Sequence, residues 1–206
     1  MAQENFYKLK AKKQERILSA INECLTQFDY DTLTINNIVD AAEISRGSFY
    51  DYFVDKKDAV DTFVLDYIRK MVINFMKIIE KEDGKLFDGI LSTYRAITKG
   101  LVSEIYLNVY KNIKYFSDFA NGIIFSKNFN ERYEFILDWM LLNTYEGKNN
   151  ILNKNEIRVV LDMMISILLQ STYRFFIEEN KKDIERDFIT KIEILKNGML
   201  KNKVGV

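Results

Sequence analysis

Proline is absent from all 206 residues of this chain, and its eight glycines stand singly. A β-rich fold of that length needs many tight turns, and turns draw heavily on proline and glycine. The shortage of both directs the chain toward helices, and apolar spacing agrees. Ile17, Ile21, Leu25 and Phe28 recur at helical intervals, which predicts a helix over 8–29. Shorter helices are expected over 35–42 and 46–53, and a longer one over 56–80, where Val60, Val64, Tyr67, Met71, Phe75 and Ile78 follow at threes and fours. Beyond it come helices at roughly 86–99, 101–115, 127–145, 155–179 and 184–202, separated at Gly84, Gly100, Asn121–Gly122 and the 147–150 stretch. No strand-like alternation persists, and neither an internal repeat nor a flexible linker stands out. The expected fold is all-α with about nine helices.

Composition narrows the function classes. With 48% hydrophobic and 29% charged residues the chain is globular in character, and its formal net charge is zero. No global field then draws it to nucleic acid or an anionic membrane, so any such binding must come from local placement. The start is locally basic: Lys8, Lys10, Lys12, Lys13 and Arg16 outnumber Glu4 and Glu15. A flexible arm beside a duplex would look like this, and so would an ordinary solvated helix start. Cys24 is the single cysteine and shares a face with Ile17, Ile21 and Phe28, so a buried small side chain is expected. No signal-peptide pattern opens the chain. The longest uncharged run, Met163–Tyr173, is shorter than the roughly 20 residues that cross a bilayer. A cytoplasmic protein without membrane contact is expected.

There is no histidine, which removes imidazole ligands and histidine-dependent triads. One cysteine cannot hold a zinc or iron–sulfur site alone. No phosphate-cradling glycine motif occurs, and no D-D-x-x-D pattern marks a carboxylate–magnesium site. Neither enzyme activity, a metal nor a cofactor is expected.

The most informative stretch is AAEISRGSFYDYF, residues 41–53. Thr34 is placed to cap one short helix, with Leu33 and Ile38 spaced as a hydrophobic staple, and Ser45 repeats the device with Ile44 and Phe49. Asp55 can cap the next helix, where its charge suits the positive end. Two short helices joined by a turn at Ala42–Ile44 have helix-turn-helix spacing. Projected down the second of them, Phe49 and Phe53 mark a buried side, while Gly47 and Asp51 lie opposite, flanked by Ser48 and Tyr50. A bare glycine on the outer face costs about 1 kcal/mol of helix propensity but lets the backbone approach a partner closely. A recognition helix entering a major groove about 12 Å wide needs that approach. Ser45, Ser48, Tyr50 and Tyr52 supply hydroxyls suited to phosphate oxygens, and Lys56 stands at a helix start that attracts anions.

Residues 34–58, TINNIVDAAEISRGSFYDYFVDKKD, resemble the DNA-binding signature of the TetR family of bacterial transcriptional regulators. The resemblance includes Thr34, the I-x-x-A core, the Ser45–Tyr50 run, Phe53 and Lys56. It implies a helix-turn-helix domain over 1–56 and a ligand-binding and dimerisation domain over 57–206. It further implies a homodimer on a palindromic double-stranded DNA operator, repressing transcription until a small effector releases it. On this resemblance Thr34, Tyr50 and Lys56 hold phosphates, Arg46, Gly47 and Ser48 face the groove, and Phe49 and Phe53 pack. Tyr52 stands where the family most often has histidine and keeps a phosphate role. Glu43 occupies a turn position that is usually glycine; a left-handed backbone there costs about 1 kcal/mol or more. Asp51 on the groove face would repel phosphate, but a carboxylate can accept from cytosine N4. Two alternatives remain open: a ligand-independent DNA-binding regulator, and an all-α hydrophobe-binding protein without a DNA role.

Residues 61–206 hold twenty of the 28 aromatics. Tyr94, Tyr106, Tyr110, Phe116, Trp139 and Tyr173 are candidates to line an effector cavity, although each taken singly is expected to fill core. From Ile157 to Ile177 the chain is apolar on more than one side, so that helix must be covered twice. In the last helix Ile184, Phe188, Ile192, Leu195 and Met199 form one stripe. Met164, Leu168, Phe188, Ile192, Leu195 and Met199 are therefore expected at an intermolecular four-helix bundle.

Overall fold

A computed structural model describes residues 2–99, 127–149 and 151–200, without side-chain detail at 127–133, 199 and 200. Ten helices make up these residues, and no strand occurs among them. They are α1 (Glu4–Tyr7), α2 (Ala11–Gln27), α3 (Ile35–Ala41), α4 (Arg46–Tyr52), α5 (Lys56–Lys81), α6 (Leu86–Thr98), α7 (Lys127–Asn143), α8 (Tyr145–Lys148), α9 (Lys154–Ile177) and α10 (Lys181–Leu200). The all-α expectation holds. Two compact units divide the described residues between 72 and 73, so α5 contributes to both. The helix expected over 101–115 and the break at Asn121–Gly122 lie outside the described residues.

In the first unit α3, α4 and α5 begin where their capping residues place them. The Thr34 hydroxyl accepts the Asn37 N–H while the Asn37 side chain accepts from the Thr34 N–H, a complete capping box. Ser45 accepts the Ser48 N–H at 3.0 Å. Asp55 accepts the Asp58 N–H, and the Asp58 carboxylate returns the bond to the Val54 N–H. Ile17, Ile21 and Leu25 of α2, Leu33, Ile38 of α3, Phe49 and Phe53 are all essentially inaccessible and form the core. Cys24 is buried with them, its Sγ 3.4 Å from the Asn37 carbonyl oxygen, and burial pushes its thiol pKa up. It is a core residue, as its spacing predicts.

The turn between α3 and α4 carries the strain that its sequence implies. Glu43 has φ 50°, and the Ile44 N–H reaches back to the Val39 carbonyl, closing the end of α3. An L side chain in that region costs roughly 1–2 kcal/mol. The Arg16–Glu43 ion pair, 3.6 Å apart and well exposed, offsets little of it. Glu43→Gly is expected to raise the unfolding free energy by about 0.5–1 kcal/mol, since glycine's greater freedom when unfolded cancels part of the gain. A urea midpoint that falls in this variant would contradict the account.

Of the two readings of the basic bias, the solvated helix start is the one that fits: Lys8, Lys10, Lys12 and Arg16 are exposed around the start of α2. A four-residue helix, α1, precedes α2, and Phe6 is buried with its ring 5.1 Å from that of Phe53. The Gln3 N–H donates to the Tyr52 carbonyl at 2.8 Å and the Gln3 side chain to the Tyr50 carbonyl at 3.0 Å. This segment therefore covers the open C-terminal carbonyls of α4. It is packed structure and not a free arm.

In the second unit α9 packs on α6, α7 and α10. Tyr94 of α6 stacks on Phe188 of α10, ring centroids 4.1 Å apart. Glu146 in α8 is buried and accepts the first N–H of α6 from Leu86 at 3.1 Å; burial pushes its carboxyl pKa up. The helix expected over 127–145 breaks at Thr144, whose hydroxyl accepts the Gly147 N–H and starts α8. Gly147, expected within a break, lies inside α8, and the position requires glycine because a Cβ there would stand 2.3 Å from the Leu141 carbonyl oxygen. Gly84 does terminate α5, with φ 76° and the Asn143 carbonyl 2.7 Å from where its Cβ would be.

The intermolecular face expected from the sequence is corrected here. Met164, Leu168, Phe188 and Ile192 are buried within the chain's own fold, with Met164 and Phe188 at 0% exposure. Leu195 is half-buried, and the side chain of Met199 lies outside the described detail. The outward side of α9 carries other apolar residues: Val159, Met163, Ile165, Leu169, Tyr173 and Ile177. The stripe is apolar, as its spacing predicts, but the chain uses it for its own core. The whole of α9 is also long and apolar enough to cross a bilayer by length and composition, which the uncharged run bounded by Asp162 and Arg174 did not reveal. One side of it, however, is packed on three helices of the same chain.

Candidate nucleic-acid interface

The face of α4 opposite Phe49 and Phe53 is bare at its centre. A Cβ at Gly47 would meet only the Ser45 Oγ at 3.8 Å, ordinary contact distance, so nothing in the chain's own packing demands glycine there. Arg46, Gly47, Tyr50 and Asp51 are all exposed around it. Buried Phe49 and Phe53, 5.4 Å apart, anchor the other side and fix which face of the helix looks out. This surface can accept another backbone or a base edge at close range.

The remaining sequence candidates are not equally placed. Thr34 and Ser45 are exposed, but each hydroxyl already accepts a backbone N–H as a helix cap. Ser48 is half-buried and its Oγ lies 2.9 Å from that of Ser45. Tyr52, expected among the outward hydroxyls, is instead buried against Phe6 and receives a hydrogen bond from Lys13 Nζ at 3.2 Å. Its position directly after Asp51 turns it toward α1, a segment invisible to a projection of α4 alone. Lys56 turns inward too: its Nζ donates to the carbonyls of Tyr30 and Leu33 at 2.8 and 2.9 Å and sits 4.5 Å from the Tyr30 ring. It ties the end of the α2–α3 connection to the start of α5. Asn36, which sequence reading passed over, is exposed beside Arg46 and accepts from its Nη1 at 3.2 Å. Its position in the first turn of α3, ten residues before Arg46, was the available signal.

The family model described as bacterial regulatory proteins, tetR family, matches residues 17–60, which span this surface and its core. Over residues 17–60 the chain is similar to the TetR family. No curated protein matches the chain in sequence. Solved structures agree over nearly the whole length. A TetR-family transcription regulator from Marinobacter aquaeolei is 15% identical with a TM-score of 0.59, covering 89% of this chain and 97% of its own. Salmonella enterica GusR is 15% identical with a TM-score of 0.58, covering 94% and 99%. E. coli NemR in its reduced form is 15% identical with a TM-score of 0.56, covering 89% and 96%. At such identities the likeness is one of fold. Fold and N-terminal domain together are those of TetR-family transcription regulators.

The candidates for an effector cavity differ in exposure. Tyr94 is fully buried, its ring against those of Phe188 and Phe175, and among the described residues its hydroxyl has no hydrogen-bond partner. Burial, with Glu185 nearby, pushes its pKa up to about 12, so it is a neutral donor throughout the physiological range. Trp139 is half-buried and Tyr173 is exposed. Tyr106, Tyr110 and Phe116 lie outside the described residues.

Proposed function

We propose that the chain is a cytoplasmic, homodimeric TetR-family repressor that binds a palindromic operator through α4 and leaves it when a small, largely apolar effector binds the second unit. The observation that carries the reading is the open face at Gly47, bordered by Arg46, Tyr50 and Asp51 on a helix pinned by Phe49 and Phe53. A monomer has no use for such a gap, whereas a helix lying in a groove does. Two copies are needed because one seven-residue recognition helix contacts few phosphates. The outward apolar residues of α9, together with Ile194 of α10, support pairing of two chains there. The partnerless Tyr94 hydroxyl supports a site for an uncharged polar group within an apolar surround.

The test is a gel shift with duplexes from upstream of the protein's own gene, run between about 50 and 200 mM salt. Binding with a log–log salt slope of about −5 or steeper is expected, equivalent to about six phosphate contacts per dimer. Absence of any shifted duplex at the lowest salt would remove the reading.

A further inference from the structure

We infer that Arg46 is the specificity-determining residue of this surface, reading a guanine in each half-site, and that Asn36 is the positioning residue that aims it. The inference rests on the DNA-binding reading above and adds which side chain carries sequence information.

The side chains around α4 differ in what they have left to offer. The Ser45 hydroxyl is occupied as a cap and paired with Ser48, and Thr34 is occupied by Asn37. Lys56 donates to two carbonyls of its own chain, and Tyr52 is buried. Arg46 is different. It is the first residue of α4, the end of a recognition helix that meets base edges, and it is exposed. A guanidinium carries five N–H donors in a planar fork, and Asn36 takes one of them at Nη1. Among the described residues Arg46 enters no ion pair, so no carboxylate competes for the others.

The contact with Asn36 matters because an exposed arginine is otherwise free to sample many rotamers. Asn36 belongs to α3, whose start is fixed by the Thr34–Asn37 capping box. One bond from a second, rigid helix restricts the plane of the fork before any partner arrives, which lowers the ordering cost of binding. A preset arginine fork with donors to spare matches the paired O6 and N7 acceptors of guanine in the major groove, the commonest specific contact of that side chain. A phosphate can take the same fork; what favours guanine is place, because Arg46 stands at the end of α4 that meets base edges.

The experiment is selection of duplexes from a randomised library by the full-length protein, followed by sequencing, for wild type, Arg46→Lys, Asn36→Ala and Asn36→Asp. The wild type is expected to enrich a two-fold site with guanine at one position in each half. Arg46→Lys keeps the charge but loses the fork; its preference at that position should fall about tenfold to a hundredfold while other positions persist. Asn36→Ala should weaken the same position without changing the salt slope, because it removes no phosphate contact. Asn36→Asp, whose carboxylate accepts from the same nitrogen, should retain the preference. A wild type that enriches a site, with Arg46→Lys weakening all sequences equally, would assign Arg46 to phosphate and overturn this inference while leaving the regulator reading intact. A wild type that enriches nothing would overturn both.

Discussion

Phe188→Ala should cost about 3–5 kcal/mol of stability. The ring is wholly buried and stacks on Tyr94 at 4.1 Å, so truncation removes its own transfer free energy and strips one face from a second aromatic. Tyr94 cannot easily move into the space, because it is also held edge-on by Phe175 at 6.2 Å. Urea unfolding followed by the emission of Trp139, the chain's single tryptophan, reports on this unit. The effect should appear whatever the protein concentration, since the lost contacts are within one chain. A cost below about 1 kcal/mol would mean that Phe188 does not sit in a packed core and would reopen its assignment to an intermolecular face.

Leu169→Glu should have the complementary result. Leu169 is 46% exposed on the outward side of α9, one turn from the exposed Tyr173. In a single chain a surface substitution there changes stability by no more than about 0.5 kcal/mol. In the proposed dimer it places two carboxylates in one apolar interface, where burying an unpaired charge costs several kcal/mol. Light scattering should show the mass falling to the 24.4 kDa of one chain. Operator affinity should fall about a hundredfold or more, because the second half-site contact is no longer intramolecular. A variant that stays dimeric would place the interface elsewhere and leave the outward face of α9 unexplained.

These paired results bear on what could be read from the sequence. Helix starts were legible because capping is local: Thr34, Ser45 and Asp55 each act within three residues. Position 43 was legible for the same reason, a backbone conformation set by the turn itself. The four-residue α1 was not, since it is held by Phe6 against Phe53 and by Gln3 against α4, contacts some fifty residues distant. The faces of α9 and α10 were ambiguous in a different way. Apolar periodicity identifies a stripe that must be covered, but Met164 and Phe188 show that the cover is the chain's own, whereas Met163 and Leu169 look outward. In the candidate interface the residue types suited phosphate, yet Lys56 and Tyr52 are committed inward by Tyr30, Leu33 and Phe6, which no projection of α4 contains. Gly47 was legible because an absent side chain on an outer face has no use in packing.

The most direct measurement therefore concerns that glycine. A Gly47→Leu variant fills open space, since a Cβ there meets nothing closer than 3.8 Å, and it exchanges a poor helix former for a good one. Thermal unfolding and the affinity for the selected duplex would be measured side by side. The account predicts a melting temperature equal to or above that of the wild type, with affinity lowered about tenfold or more because the helix can no longer seat against DNA. Undiminished affinity in a stably folded Gly47→Leu protein would contradict it.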